Sequence, residues 1–244
     1  MAANRDEYLD RPAEIPALRN WGGMPLVAPL DVRGGGTWLG LNRAGLFAGL
    51  TNRPTQSPDP TRRSRGLVVA DALAEADARS AVRRLQALPA GTYNPFQLLV
   101  ADGRDAFVVV YDEKPRGMSL MPGAHVLGNA DPDDMAVPKV ARLLEESQQV
   151  ATLAEPNHAL DALAAVCRVH GAGQNPIEDT CIHAGHYGTR SSTLLRMGGP
   201  AGTDVLRFSD GPPCENTYIE MTPLLGELDR TTGTSPELGT RADA

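Results

Sequence analysis

The sequence predicts an α+β fold in which two antiparallel sheets are stacked and covered by helices. Predicted strands occur as consecutive hairpins, and pairs of amphipathic helices separate them. A parallel sheet would instead require strict alternation of strands and helices. The chain has 244 residues, 41% of them hydrophobic, which suits one large domain or two small ones. We predict one domain over residues 1–225.

The strands are predicted from alternating apolar residues bounded by turn residues. The first hairpin covers 37–51, with a turn at 42–45. The second joins 96–101 to 106–111 through Asp102-Gly103-Arg104-Asp105, and the third joins 118–121 to 124–127 through Pro122-Gly123. Single strands are predicted at 192–197, 204–208 and 216–221. Residues 226–244 are polar and rich in Thr and Gly, which predicts a disordered tail.

Helices are predicted where apolar residues recur at helical spacing. They cover 67–73, 78–88, 137–148 and 156–170. In the second of them, Ala81, Val82, Leu85 and Leu88 form one apolar stripe. Residues 52–65 are rich in Pro, Thr, Ser and Arg and are predicted to form a surface loop.

The composition excludes several functional classes. The formal net charge is −7, which argues against a nucleic-acid partner because binding phosphates needs clustered Lys and Arg. No apolar stretch is long enough to span a bilayer, and residues 1–7 show no signal peptide. The three cysteines suit a reducing compartment, so we predict a cytoplasmic location.

Two segments near the start of the chain are candidate site residues. Asn4-Arg5-Asp6-Glu7 is expected where a strand ends, and these side chains suit either a charged loop or a polar site. The triple glycine that ends at Gly36 leads into Thr37 and Trp38. It forms either a tight loop beside a packed indole or a pocket wall with backbone N–H groups facing a ligand.

Two asparagines and one arginine are further candidates. Asn52 and Asn129 each end a predicted strand, where asparagine serves as a turn residue or as a neutral oxyanion donor. Arg190 lies in the hydroxyl-rich segment 187–193, which opens the strand predicted at 192–197. This segment lines either a cleft mouth, with Arg190 free to pair with a carboxylate, or an ordinary sheet edge.

Potential metal or haem ligands occur at short spacing in Cys181-Ile182-His183-Ala184-Gly185-His186, with His170 nearby. The segment lacks the C-x-x-C pairing of structural zinc sites and the C-x-x-C-H of covalent haem attachment. We therefore predict an ordinary loop and no metal site.

Taken in order, these motifs resemble the NRDE family, the transport and Golgi organisation proteins. The similarity rests on five segments and extends to about residue 222: 4–7 with Arg11-Pro12, 35–40, 50–52, 129–140 and 187–193. The resemblance implies the four-layer α-β-β-α sandwich of the N-terminal-nucleophile (Ntn) hydrolases, of the choloylglycine-hydrolase and penicillin-V-acylase type.

The resemblance also implies roles for the candidate residues. Asp6 would lie beside the nucleophile's amine, Asn52 and Asn129 would be the oxyanion-side amides, and Arg190 would be the pocket arginine. The remaining candidates would line the substrate pocket: Asn4, Arg5, Glu7, Gly36, Thr37 and Trp38.

The sequence departs from the family pattern at its start. Family members begin with Met-Cys and a hydrophobic strand, whereas this chain reads Met1-Ala2-Ala3-Asn4. We therefore expect the first strand and the nucleophile to be missing, so that the chain as written is inactive. A start codon assigned too far downstream explains this better than a shortened product, because losing a central strand exposes apolar surface and unpaired backbone groups. Self-cleavage between Gly36 and Thr37 is the disfavoured route to a nucleophile.

Two functions follow from the resemblance. The first is an amide or related acyl hydrolase that is active once the N-terminal cysteine is present. The second is a non-enzymatic protein that binds and traffics haem, lipid or acyl-CoA. Both place a small or apolar ligand in a cleft. No cofactor is required, although haem is a candidate ligand, and the oligomeric state is left open.

Overall fold

The protein is described by a computed structural model over residues 1–112, 114–171, 175–199 and 202–230. Within these ranges the strands are β1 (Ala2–Tyr8), β2 (Ala13–Trp21), β3 (Met24–Asp31), β4 (Leu39–Asn42), β5 (Phe47–Asn52), β6 (Phe96–Ala101), β7 (Ala106–Tyr111), β8 (Pro115–Ser119), β9 (His183–Ala184), β10 (Tyr187–Arg196), β11 (Val205–Ser209) and β12 (Ile219–Glu220). The helices are α1 (Arg65–Leu73), α2 (Ala78–Gln86), α3 (Pro138–Ala151), α4 (Pro156–Cys167) and α5 (Pro223–Arg230), with a short 3-10 helix at Pro176–Glu178.

The larger sheet is a meander of seven strands in the order β2-β3-β4-β5-β6-β7-β8, all antiparallel. Successive side chains of β3 point to opposite faces, as the strand period requires. Leu26 and Ala28 pack in a core with α1 and α2, whereas Val27 packs with residues of the smaller sheet. The sheet is therefore buried on both faces.

The smaller sheet has the order β1-β10-β11-β12, and β9 also pairs with β10. Leu160 and Ala164 of α4 pack against Leu194 of β10, and α3 lies against α4. Helices thus cover the outer face of each sheet, and apolar side chains fill the space between the sheets. The predicted α+β sandwich of antiparallel layers is confirmed.

The position of residues 4–7 differs from the prediction. They do not follow a strand but lie within β1, which pairs with β10 from Ala2↔Leu194 to Tyr8↔Tyr187. The strand tolerates these polar residues because one face lies over a cavity and Arg5 packs on Trp38. On the side away from β10, β1 has no partner strand among the described residues.

Two other predictions of local structure are wrong. Residues 124–127 are not a strand, because the Asp133 carboxylate accepts from the backbone N–H of Val126 at 2.7 Å and removes it from any ladder. Consequently Asn129 lies in irregular chain rather than at a strand end. In the predicted tail, residues 226–230 belong to α5, whose Leu225 and Leu228 are buried against the inter-sheet core. Residues 231–244 lie outside the described residues.

The hairpin formed by β2 and β3 was not predicted at all. Pro16 in β2, together with Pro25 and Pro29 in β3, weakens the strand pattern because proline cannot donate to a ladder. The turn at Gly22 and Gly23, with φ values of 60° and 82°, is the two-glycine type that favours hairpins.

No helix in the described ranges is long and apolar enough to cross a membrane.

Candidate functional site

A cavity of about 1710 Å³ lies beside β1. Its lining comes from β1, from the loops after β5 and β8, and from helices α3 and α4. Small-molecule pockets commonly measure about 300–1,000 Å³, so this space accommodates a ligand of substantial length.

One wall of the cavity is apolar. Val140 and Leu143 of α3, Leu163 of α4, and Leu120 and Leu127 of the loop after β8 all line it. Helical spacing aligns Val140 with Leu143 on one face of α3. This wall suits a hydrocarbon group.

The lining also has polar residues, among them the partly buried Asp6. The Thr189 hydroxyl donates to the Asp6 carboxylate at 2.6 Å. Burial raises the pKa of Asp6 above its ordinary value, while the Thr189 hydrogen bond and the charge of Lys139 oppose the shift. Burial in turn lowers the pKa of Lys139, which also lines the cavity. A carboxyl group whose pKa is raised keeps its proton to higher pH than an ordinary aspartate, a property often found at functional sites.

Asn4 ties β1 to the elements behind it. Its Nδ2 donates to the carbonyls of Cys167, at 2.9 Å, and Thr180, at 2.8 Å. Its Oδ1 is buried and has no hydrogen-bond partner among the described residues. Asn4 lines the cavity, but its amide nitrogen is committed to holding the backbone.

A row of alternating charges continues from Arg5. The Arg5 guanidinium lies 4.3 Å from the centroid of the Trp38 ring, and burial lowers its pKa. Beyond it, Glu7 lies 3.6 Å from Arg11, and Arg11 pairs with Asp31 at 2.6 Å. All five residues line the cavity, and the two arginine charges are balanced there by the carboxylates of Glu7 and Asp31.

Asn52 and Asn129 are brought together at the cavity. The Asn129 Nδ2 donates to the Asn52 backbone carbonyl at 2.7 Å, and both residues are exposed. The buried Gln97 holds the segment around Asn129, since its Nε2 donates to the carbonyls of Gly128 and Ala130, each at 2.6 Å. The Asn52 amide therefore remains available to a ligand, while that of Asn129 already has an acceptor.

Two of the predicted site residues are not part of the lining. Arg190 lies on β10 at the register shift opposite Arg5 and Asp6, and its buried Nε has no hydrogen-bond partner among the described residues. Gly36 packs against the backbone of Gly66 in α1 instead of facing a ligand. The other predicted residues line the cavity: Asn4, Arg5, Asp6, Glu7, Thr37, Trp38, Asn52 and Asn129. Their catalytic or binding roles remain predictions.

Sequence reasoning assigned no role to Lys139, Thr189 or Gln97. Thr189 and Lys139 belong to segments that carry the family resemblance, but nothing in a strand or a helix pattern shows that Thr189 bonds to Asp6 or that the charge of Lys139 acts on it. Gln97, the second residue of β6, is 1% exposed, and an amide within an otherwise apolar strand was the available signal for a loop anchor.

Residues 1–200 match the family model described as Transport and Golgi organisation 2. The chain belongs to this family. A Transport and Golgi organization 2 homolog of Mus musculus is 26% identical over 226 residues, which cover 80% of each chain. The Homo sapiens homolog is 32% identical over 140 residues, 53% of this chain and 50% of the human protein.

Solved structures show the wider fold of this family member. Penicillin V acylase from Agrobacterium tumefaciens aligns with a TM-score of 0.56 at 17% identity, over 92% of this chain and 83% of the acylase. The C2A mutant of a conjugated bile acid hydrolase from Clostridium perfringens gives 0.56 at 13% identity, over 93% and 89%. The Caenorhabditis elegans ortholog of N-acylethanolamine-hydrolyzing acid amidase gives 0.54 at 12% identity, over 89% and 93%. The chain therefore has an Ntn-hydrolase-like fold.

Proposed function

We propose that this chain is the scaffold of an acyl-amide hydrolase of the Ntn type. The observation that carries the proposal is the composition of the cavity, whose lining combines apolar side chains of α3, α4 and the loop after β8 with the polar side chains of Asp6, Asn52 and Asn129. The apolar wall would hold the acyl group, and the polar side chains would hold the amide to be cleaved. The structural neighbours include hydrolases named for an acylated drug, a conjugated bile acid and an N-acylethanolamine, which supports an acyl amide as substrate class.

In this mechanism the polar residues act on the scissile amide. The Asn52 side-chain amide would donate to the developing oxyanion, a role that a neutral donor performs without a change of protonation. Asp6, held by Thr189, would orient the nucleophile's α-amino group and stabilise its protonated form. Arg190, which lies in the neighbouring strand β10 at the register shift, would act by fixing the bulge that places Asp6.

The nucleophile would be an N-terminal cysteine whose own α-amine, with a pKa near ~8, removes the thiol proton. Of the three cysteines in the printed chain, all of them described, Cys167 is the one that lines the cavity. Burial raises the pKa of the Cys167 thiol, which disfavours the reactive thiolate. The proposal therefore requires a cysteine from outside residues 1–244.

The test compares three proteins on a series of N-acyl amides: the chain as printed, a version extended by the upstream reading frame with its cysteine, and that version with Cys→Ala. We expect a burst of released acyl product from the extended protein alone. Cys167→Ala in the extended protein is the matched control and should retain turnover. Equal turnover by the cysteine and alanine versions, or an upstream frame without cysteine, would rule the hydrolase out.

A non-enzymatic carrier of an apolar ligand is the second candidate, favoured by the size and apolar wall of the cavity. Acyl chains suit this wall better than haem does. His125 lines the cavity, but its Nδ1 is bonded to Asp133 at 2.6 Å and its Nε2 to the Met121 carbonyl at 2.7 Å, which leaves neither nitrogen for iron. Titration with haemin and with a fluorescent fatty acid separates the ligands: a saturable Soret shift would establish haem, and saturable displacement of the fatty acid by acyl amides would establish acyl binding. Either role suits a cytoplasmic protein with free cysteines.

A further inference from the structure

Two cysteine sulfurs and one histidine nitrogen converge beside β9, at the edge of β10 that also pairs with β11. The Cys181 and Cys214 sulfurs lie 3.4 Å apart, and the His183 Nε2 lies 3.1 Å from the Cys214 sulfur and 3.7 Å from the Cys181 sulfur. All three atoms lie within 4.8 Å of one another. None of the three residues lines the cavity, so the cluster is separate from the site described above.

Each of the three residues is held by its own backbone contacts. The Cys181 N–H donates to the Val169 carbonyl at 2.8 Å, and His183 begins β9, which pairs with β10. Cys214 lies in a turn in which the N–H of Asn216 donates to the Pro212 carbonyl at 3.0 Å. The Arg168 guanidinium fixes this turn to the end of α4 by donating to the Pro213 carbonyl at 3.0 Å. The backbone positions of all three residues are therefore set by the fold.

We propose that Cys181, His183 and Cys214 form a binding site for zinc or a similar soft divalent ion. Thiolate and imidazole ligands suit zinc, and ligand atoms around tetrahedral zinc lie about 3.5–3.8 Å apart, given Zn–S bonds of ~2.3 Å and Zn–N bonds of ~2.0–2.1 Å. One of the three separations, 3.7 Å, falls in that range, and the other two, 3.4 and 3.1 Å, would have to lengthen by a few tenths of an ångström. Binding releases the two thiol protons to solvent.

The fourth coordination position faces solvent. Cys181 is buried, Cys214 is half-buried and His183 is exposed, so the open side of the cluster is accessible to water. The His170 ring packs against the His183 ring, with centroids 5.1 Å apart, and so orients the ligand. Three protein ligands and an open position are the arrangement of zinc sites that bind a further molecule rather than closed structural sites.

The test uses the full chain, stripped of metal by a chelator and kept reduced with a phosphine. Titration with Co²⁺ should produce the visible bands of tetrahedral cobalt and thiolate-to-cobalt charge transfer, saturating at one ion per chain. Zn²⁺ should displace the cobalt, because zinc binds such sites more tightly. Cys181→Ser, Cys214→Ser and His183→Asn should each weaken cobalt binding by at least about a hundredfold, since even second-shell changes cost about 10–100-fold.

Cys167→Ser and His186→Asn are the matched controls, and both should bind cobalt as the unmodified chain does. The unmodified chain decides the question even where a variant fails to fold. Absence of charge-transfer bands from the reduced chain would overturn the proposal, and so would equal loss of binding in the controls. If the reduced chain takes up no cobalt but closes a Cys181–Cys214 disulfide on mild oxidation, the pair is a redox couple and the metal assignment is wrong.

Discussion

The close approach of Gly36 to Gly66 allows a sharp test of the packing between the glycine-rich loop and α1. A Cβ built on Gly36 would fall well under 3.0 Å from the Gly66 carbonyl group, and the Thr37 N–H donates to the same carbonyl at 3.1 Å. The obstructing atoms are backbone, which cannot rotate away. Overpacking costs about 1–3 kcal/mol, and we expect Gly36→Ala to reach the upper end of that range. With roughly 2–4 °C per kcal/mol for a protein of this size, the melting temperature should fall by about 6–12 °C.

Two further glycines make the test quantitative. A Cβ on Gly66 would meet the Thr37 nitrogen at 3.1 Å, so Gly66→Ala should cost less, about 1 kcal/mol. A Cβ on Gly103 would meet nothing within 4 Å, so Gly103→Ala should change stability by no more than about 0.5 kcal/mol. Calorimetry and urea denaturation of the three variants give the order. Should Gly36→Ala prove as stable as Gly103→Ala, the loop faces open space and the pocket-wall interpretation of Gly36 would be correct instead.

Three other substitutions test the core and the candidate site. Asn42→Ala should lower the free energy of unfolding by about 2–4 kcal/mol, because Asn42 is buried and bonded to the Leu73 and Glu75 carbonyls and the Leu46 N–H. Asn52→Ala, which removes an exposed side chain, is the control. Equal losses of unfolding free energy for the two variants in urea denaturation would contradict this prediction. Asp6→Asn should become more stable relative to the unmodified chain as the pH rises from the ordinary aspartate pKa to the raised pKa of folded Asp6, because burial penalises the charged carboxylate over that pH range. Urea denaturation at several pH values measures the difference in the free energy of unfolding. A difference that does not vary with pH would exclude a raised pKa. Gln97→Leu should speed hydrogen exchange of the backbone amides of residues 128–130, because this loop loses the two hydrogen bonds from the Gln97 side chain, while the amides of β6 and β7 stay protected. Unchanged exchange at 128–130 would show that Gln97 does not hold the loop.

Local signals in the sequence were enough to predict most of the larger sheet. The hairpin at 96–101 and 106–111 was predicted to the residue, because an Asp-Gly turn between two alternating strands fixes both ends. The β2–β3 hairpin was missed because its strands contain three prolines, which are uncommon within strands. Its Gly22-Gly23 turn was the remaining signal in the sequence.

The candidate site was predicted less completely, since its contacts join distant parts of the chain. Asn52 and Asn129 were named from motifs, yet their contact depends on Gln97, whose role lies in tertiary structure. Arg190 was expected at the cleft, but a register shift between β1 and β10 turns it away from the lining. The Cys181–His183 segment lacked a sequence motif because its third partner, Cys214, lies 33 residues further along.

The pairing of β1 with β10 joins an early part of the chain to a part that is synthesised much later. The amino group of Met1 bonds to the carbonyl of Leu195, 194 positions later in the chain. At the usual rates of translation, β1 waits roughly 10–40 s for its partner to leave the ribosome. Through that interval its edge is open to chaperones and to other nascent chains. Synonymous codon changes that slow synthesis of the last third of the chain should therefore lower the yield of native protein. The native structure itself would be unchanged.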